Sequence, residues 1–335
     1  MESRSNSVEA IAGPVIAGLV VLVTLLGLIG TAIRDPRPHD IPVGVVGPPA
    51  AVQPLTDAMA SKSPGTFDFT TYSSEANGRA ALDAEDVDGV LILGGGPPHL
   101  VVAGASGDAQ SGLITAVFSA AFAAQGAPLS VEVVHAYASG DPHGLILFFL
   151  VLATIISTFV SQVVLLVRGG SAGLGTRLVA TAAWAVLAGA AGVGMAAWLV
   201  GGYDTTTAAA MGGLLALTAF AIGTVVAGFA MWLGAPGIGL TGLVVVLLDL
   251  ISSGGPAGPQ FLPDAYRAIS PWMPAGEVAG ALRSVLYFNG DAATRPVLML
   301  AGWLVAGLVL MVIGAATRRG RQSRVARAAQ ARVSG

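Results

Sequence analysis

Residues 145–167 read LILFFLVLATIISTFVSQVVLLV, an unbroken apolar run without one ionisable side chain. A hydrocarbon core about 30 Å thick needs roughly 20 helical residues to cross it. The run is therefore read as a membrane-spanning helix, and the rest of the chain is organised around it. C-terminal to it, Leu178–Val200, Ala208–Leu233 and Pro296–Ala316 read the same way. Ile238–Ile251 is shorter, and the tight turn Gly234-Ala235-Pro236-Gly237 joins it to the preceding span; it is either re-entrant or lengthened by its flanking glycines. N-terminal to it, Ala10–Ile33 supplies a sixth span. A signal peptide is the alternative for that stretch, but the run exceeds the apolar core of a signal and no small-x-small cleavage site follows.

Composition agrees. The chain is 54% hydrophobic and 10% charged, with a mean hydropathy of +0.76, where soluble domains carry about 25% charged residues. It has no cysteine, which excludes disulfides and thiolate metal sites. The expected fold is an all-α membrane bundle of six transmembrane helices, with an extracytoplasmic α/β domain inserted between the first and second. The divisions are 1–34 for the N-terminus and first span, 35–143 for the inserted domain, 144–317 for the other five spans, and 318–335 for a basic tail. An interfacial segment lies at 252–295.

Orientation is read from arginine. Arg318, Arg319, Arg321, Arg324, Arg327 and Arg332 crowd the tail without an acid among them, which places the tail in the cytoplasm. Six crossings then put the N-terminus there too. The loop from Arg168 to Arg177 falls inside and the insert outside. Arg34 and Arg37 run against this and are outweighed. A nucleic-acid patch is the other reading of the tail; its place directly after a span favours a topology signal that touches anionic lipid. Glycine and alanine richness, with arginine far exceeding the single Lys62, fits the plasma membrane of a high-GC bacterium.

The insert, Asp35–His143, carries twelve acids and three bases, an excess that suits an exposed surface and not a nucleic-acid partner. Ile41–Val46, Phe67–Tyr72, Val90–Leu93, Leu100–Ala103 and Val131–Val134 read as strands. Ser74 is placed to cap a helix over Glu75–Leu82. Ser111 is placed to cap a second, with Leu113, Val117 and Ala121 on one face. The alternation predicts a partly parallel sheet.

Chemistry is sparse. Gly94-Gly95-Gly96 follows a strand, but Pro97 and Pro98 come next with no Lys-Ser/Thr pair, so it reads as a turn and not a phosphate loop. Asp141 and His143 are weighed as a metal pair and read instead as a polar membrane-edge loop. No nucleophile elbow, HExxH or Walker A motif occurs, so neither enzyme activity nor a cofactor is expected.

Within the spans, Ser157 and Ser161 share one face of the second helix and Thr158 and Gln162 its neighbour. They either line a pathway or bond their own backbone and adjacent helices. Asp249 is the only acid inside a span, a candidate for coupling or a hydrogen-bonded helix end. Ala188/Gly192 and Ala190/Gly194 form small-xxx-small pairs suited to close helix packing. Between the last two spans lies the stretch containing Pro263, Pro271, Trp272 and Pro274, then an amphipathic segment with Val278, Leu282, Val285 and Leu286 on one side and Arg283 among them. It reads as short helices at, or dipping into, the outer leaflet.

The order of one span, an external α/β domain, then five spans with a Leu-Pro…Pro-Trp-Met-Pro stretch before the last, resembles the permease subunits of type 2 ABC exporters. Ile41-Pro-Val-Gly-Val-Val and Ser74-Glu-Ala…Ala81-Leu-Asp…Val87-Asp-Gly-Val-Leu-Ile are similar to the external domain of their phage-infection-protein-like branch. The resemblance implies a dimeric permease, paired with a second copy or a paralogue, that exports hydrophobic or amphipathic compounds and is driven by a separate cytoplasmic ATPase. It also makes the Arg168–Arg177 loop the ATPase-docking element. That loop departs from the pattern: it is short and glycine-rich. The N-terminal amphipathic helix carried by many relatives is also not seen. The competing reading is a non-transporting envelope scaffold or receptor that binds a partner through its external domain.

Overall fold

The computed structural model describes residues 2–34, 36–169 and 172–333. It builds two layers of different chemistry, a small α/β domain and a helical bundle.

The domain follows α1 (Glu2–Ile33) and contains β1 (Ile41–Val46), α2 (Pro49–Lys62), β2 (Phe67–Tyr72), α3 (Glu75–Asp83), β3 (Gly89–Ile92), β4 (His99–Ala103), α4 (Asp108–Ala123) and β5 (Ser130–Val134). Among the described residues the strands form one mixed sheet in the order β2-β1-β3-β4-β5. β1 runs parallel to β2 and β3, β3 antiparallel to β4, and β4 parallel to β5. Alternate side chains point to opposite faces, so the sheet has two cores. Val46, Leu82, Val90 and Val101 pack on the α3 side. Ile41, Val43, Leu91, Leu100, Ile114 and Phe118 pack on the other side. Ser74 caps α3 as expected, its Oγ accepting from the Asn77 N–H at 3.2 Å.

One reading of the domain is corrected, and one helix is added. The second named helix begins at Asp108, with Gly107 as its cap residue at φ 138°. Ser111 lies inside the first turn and donates to the Gly107 carbonyl at 2.9 Å, because a mid-turn serine bonds backward along a helix. α2 was not anticipated as a discrete helix; Pro at its N-terminus suits an opening turn.

The bundle comprises α5 (Leu145–Arg168), α6 (Leu174–Val200), α7 (Thr205–Leu233), α8 (Ala235–Thr241), a π-helical turn (Gly242–Leu248), α9 (Asp249–Ser252), α10 (Asp264–Ile269), α11 (Pro274–Tyr287) and α12 (Thr294–Val333). Among the described residues, five helices are long and apolar enough to cross a membrane: α5, α6, α7, the continuous Ala235–Ser252 and the start of α12. The chain is thus a multi-pass helical membrane protein. The fifth apolar stretch is longer than its sequence reading, because α8, the π turn and α9 join into 18 helical residues. In α1 the apolar helical stretch found is Gly18–Ala32.

α7 is the axis of the bundle. Its apolar window is 78% buried, against 22–28% for the other four. Glycines set the distance to its neighbours. A Cβ at Gly189 of α6 would lie 2.5 Å from the Gly212 carbonyl oxygen of α7. A Cβ at Gly307 of α12 would lie 2.2 Å from Thr224 Oγ1, and one at Gly314 2.7 Å from Met231 Cβ. Such contacts bring backbones together where lipid supplies no hydrophobic drive between helices. Of the small residues singled out in α6, Gly192 packs on Leu215, whereas a Cβ at Gly194 meets nothing within 4 Å.

Candidate functional site at the domain–bundle junction

The domain is joined to the bundle by the segment between the last two apolar helices. That segment leaves α9, meets the domain, and descends. The His39 N–H donates to the Gln260 carbonyl at 2.9 Å, and Phe261 packs on the core beside α2 and α4. Farther on, the Tyr266 hydroxyl donates to the Leu28 carbonyl of α1 at 2.9 Å, and Arg267 pairs with Asp40. Trp272 lies level with Trp303, whose Nε1 donates to the Trp272 carbonyl at 3.0 Å. Trp303 is nine residues into α12, roughly 13 Å along it. α11 then returns to the domain, where Phe288 enters the core beside α3. One phenylalanine from this segment thus seals each face of the sheet.

α11 is more deeply placed than an interfacial helix. Val278 and Leu282 are fully buried in the main bundle core with Leu147, Ile155, Leu215 and Ile222, and Val285 and Leu286 pack against it. Pro263 and Pro274 open α10 and α11, and Pro271 lies in the 3-10 turn between them. Trp272 is 71% exposed, as an interface aromatic would be.

The junction is held by polar contacts that come from the domain's loops. Arg283 turns toward the domain: its Nη1 donates to the Ser106 carbonyl at 2.8 Å, and its Nε lies 3.7 Å from Glu85 Oε2. His135 contacts the Tyr287 carbonyl oxygen through Nδ1 at 2.8 Å and Asp83 through Nε2 at 2.7 Å, and its ring stacks on Phe288. Gln110 Nε2 donates to Gln260 Oε1 at 3.0 Å. Among the described residues, the non-glycine positions with positive φ are Asp40, Glu85 and His135. Each touches the 264–287 segment. Left-handed backbone costs a non-glycine residue about 1–2 kcal/mol, and here it coincides with the docking contacts.

Between domain and bundle lies a cavity of about 520 Å³, its walls drawn from Glu85 and Gln110 of the domain, Phe148 of α5, and Glu277, Gly280 and Arg283 of α11. Burial raises the Glu85 carboxyl above the usual range, opposed first by the Ser284 hydroxyl and then by the charge of Arg283. Burial likewise pushes neighbouring Asp88 up to about 6, opposed by Arg283 and Ser106. Tyr137, also on the cavity wall, is pushed up to about 12 by burial. On the outer sheet surface, by contrast, Arg79 and His99 bond Glu132 and hold its carboxyl down at about 2.

The residues singled out inside the spans lie elsewhere. Thr158 and Gln162 are buried, Thr158 Oγ1 accepting from Trp184 Nε1 at 3.0 Å and Gln162 Oε1 from Thr181 Oγ1 at 3.3 Å. Both therefore tie α5 to α6. Ser157 donates to the Thr154 carbonyl and faces an apolar groove between α5 and α6; Ser161 is half-buried. Asp249 is fully enclosed, with Oδ1 accepting from the Ala275 N–H at 2.8 Å. It acts as the missing cap of α11, supplied from another helix; its Oδ2 has no partner. Arg168 is exposed. Arg177 folds inward and donates to the carbonyls of Gly169 and Ala172. Among the described residues no group of three metal-ligating side chains converges.

Sequence reasoning missed the junction. Its signal was the spacing Gly276, Ala279, Gly280, Arg283, one helical face made of small residues with an arginine at its end. No protein-family model, curated protein or solved structure matches the chain.

Proposed function

We propose that the chain is the membrane permease subunit of an exporter of hydrophobic or amphipathic compounds, energised by a separate cytoplasmic ATPase and working with a second copy or a paralogue. The observation that carries this reading is the α/β domain seated over one end of the bundle, with a cavity left between them. A compound leaving the bundle at that end meets a mixed apolar and polar chamber before it meets solvent. The order of elements supports the same reading through its likeness to type 2 exporter permeases.

In this proposal α1 is the sixth crossing, and the domain faces outward from a bacterial plasma membrane. The arginine-rich tail and N-terminus lie in the cytoplasm. The ATPase docks on the cytoplasmic ends of the bundle, where Arg168 is exposed. The second reading, a non-transporting scaffold or receptor, is favoured by one observation: Arg177 is spent on the carbonyls of its own loop and offers nothing to a partner.

Affinity purification of the full chain from its native host in mild detergent, followed by mass spectrometry, separates the two. A stoichiometric Walker-motif ATPase is the result expected for the permease. Recovery of envelope proteins with no ATPase would overturn it in favour of the scaffold.

A further inference from the structure

α2 and α4 leave a groove between them on one face of the domain's sheet, with a volume of about 810 Å³. That size falls within the range that holds small organic ligands. The floor is Leu55, Met59, Leu93 and Phe122, and alanines of both helices, Ala58 and Ala121 among them, form the walls. From Ala51 to Lys62 the α2 wall runs roughly 16 Å.

The charge at one end of the groove runs against that of its domain. Lys62, the single lysine of the chain, lines it with Ser63 beside it. The domain carries twelve acids against three bases, yet among the described residues no acid lines the groove. Asp57, the one acid of α2, is off the wall and accepts from Gln53 at 3.4 Å. Asp108, the one acid of α4, lies on the other flank of that helix, beside His143. Arg79 is spent on Glu75 and Glu132, whereas among the described residues the Lys62 ammonium has no ion pair. Salt screens charges farther away than about 8 Å, so the ammonium is the charge that a ligand in the groove meets.

The groove is continuous with the junction. The Asp40 N–H donates to the Gly65 carbonyl at 2.8 Å, and the adjoining His39 N–H to the Gln260 carbonyl at 2.9 Å. Lys62, three residues before Gly65, therefore stands at the end nearer the bundle. Phe261 packs against the same core as Leu55, Leu93 and Phe122.

We propose that the α2–α4 groove binds an amphipathic acid: a carboxylate that pairs with Lys62 at the end nearer the bundle, and an alkyl chain that lies between the alanine walls over Leu93 and Phe122. The binding follows from the groove alone. That the acid is an exported compound rests on the permease reading.

The single lysine makes the test direct. The full chain in phosphatidylcholine nanodiscs is treated with a succinimidyl ester, and labelling at Lys62 is followed by mass spectrometry. The reaction is run without a probe and with octanoate, octan-1-ol, octyltrimethylammonium or acetate at equal concentration. Octanoate is expected to slow labelling at least fivefold, and the other three less than twofold. Ala58→Trp, at an exposed position on the wall, should remove the protection by filling the groove. Ala60→Trp, off the wall, should keep it. Should Ala58→Trp fail to fold, Ala121→Leu takes its place.

Equal protection by octan-1-ol would reveal a plain apolar cleft, and equal protection by acetate a bare surface charge. Either result overturns the proposal, as does protection that survives Ala58→Trp. Lys62 that is unreactive before any probe is added would show a groove already covered by another chain, and overturns it too. No protection by octanoate, beside a co-purifying ATPase, sinks the acid site and leaves the permease reading standing. Protection without a co-purifying ATPase does the reverse.

Discussion

The α/β domain and the bundle solve the same packing problem with opposite means. In the domain, side chains are sorted by face: Val43, Leu91 and Leu100 are fully buried, while Asp68 and Thr70 of edge strand β2 are exposed. Apolarity there marks the interior, because the surrounding solvent is water. On α6 of the bundle, apolarity does not separate inside from outside. Val179, Val186, Leu187 and Trp198 of α6 are all more than 60% exposed, as suits a surface whose solvent is lipid. The buried positions of α6 are instead Arg177, Thr181, Ala185, Gly189, Gly192 and Ala196. Along the membrane-spanning part of this helix, smallness marks the face turned to its neighbours.

The sharpest way to break this comparison is to enlarge a glycine on the α7–α12 seam. Gly307→Leu forces a side chain into Thr224 and the Val225 backbone nitrogen, 2.2 and 2.7 Å from its Cβ. Overpacking of that kind costs about 1–3 kcal/mol and more where backbone is struck. We expect loss of monodisperse protein in detergent, while Gly302→Leu, whose Cβ meets nothing within 4 Å, unfolds at the wild-type temperature. Equal behaviour of the two would remove the glycine seam from the account.

Arg283→Met tests the junction instead of either layer. It deletes the bond to the Ser106 carbonyl and the cation beside Glu85. Removing one partner of a buried charge pair costs about 3–5 kcal/mol; partial exposure of Arg283 lowers this to about 1–3 kcal/mol. Limited proteolysis should show faster cleavage around residues 252–264, and a wild-type cleavage rate would contradict the assignment.

A pH series resolves the electrostatics of the junction from those of the surface. Asp88 has its carboxyl raised to about 6 in the fold, so the folded state holds its proton more tightly than the unfolded chain does. Its contribution therefore favours folding at low pH and is lost as pH rises from about 4 to about 6. Asp88→Asn should gain on wild type by about 1–3 kcal/mol between pH 4.5 and 7.5, read as the difference of their thermal midpoints. A difference independent of pH would show that burial does not act on this group. The smallest effect belongs to the domain surface. Val133, 59% exposed on edge strand β5, should tolerate Val133→Thr within about 0.5 kcal/mol in thermal unfolding.

The same contrast explains what was legible in the sequence. The bounds of β1 are readable to the residue because a run rich in β-branched residues stands between Asp40 and Gly47, and β2 is readable from its alternating aromatic and β-branched residues. α5 is readable because 145–167 carries no charge. The depth of α11 was not, since Val278 and Leu282 have the same spacing whether they face lipid headgroups or a protein core. The direction of Arg283 depends on a partner about 180 residues earlier in the chain, Ser106, and no local pattern encodes that. Ser111 shows the same limit at short range, because Gly107, four residues before it, takes the capping place.

The account's central claim is that the domain and the arginine-rich tail lie on opposite sides of the membrane, with both ends of the chain on one side. The absence of cysteine makes this directly measurable. Single cysteines at Ser5, Ser130 and Gln330 are exposed to a membrane-impermeant maleimide in intact cells and again after lysis. The account predicts labelling at Ser130 in intact cells, and labelling at Ser5 and Gln330 only after lysis. Labelling of Gln330 in intact cells, or of Ser5 together with Ser130, would contradict it.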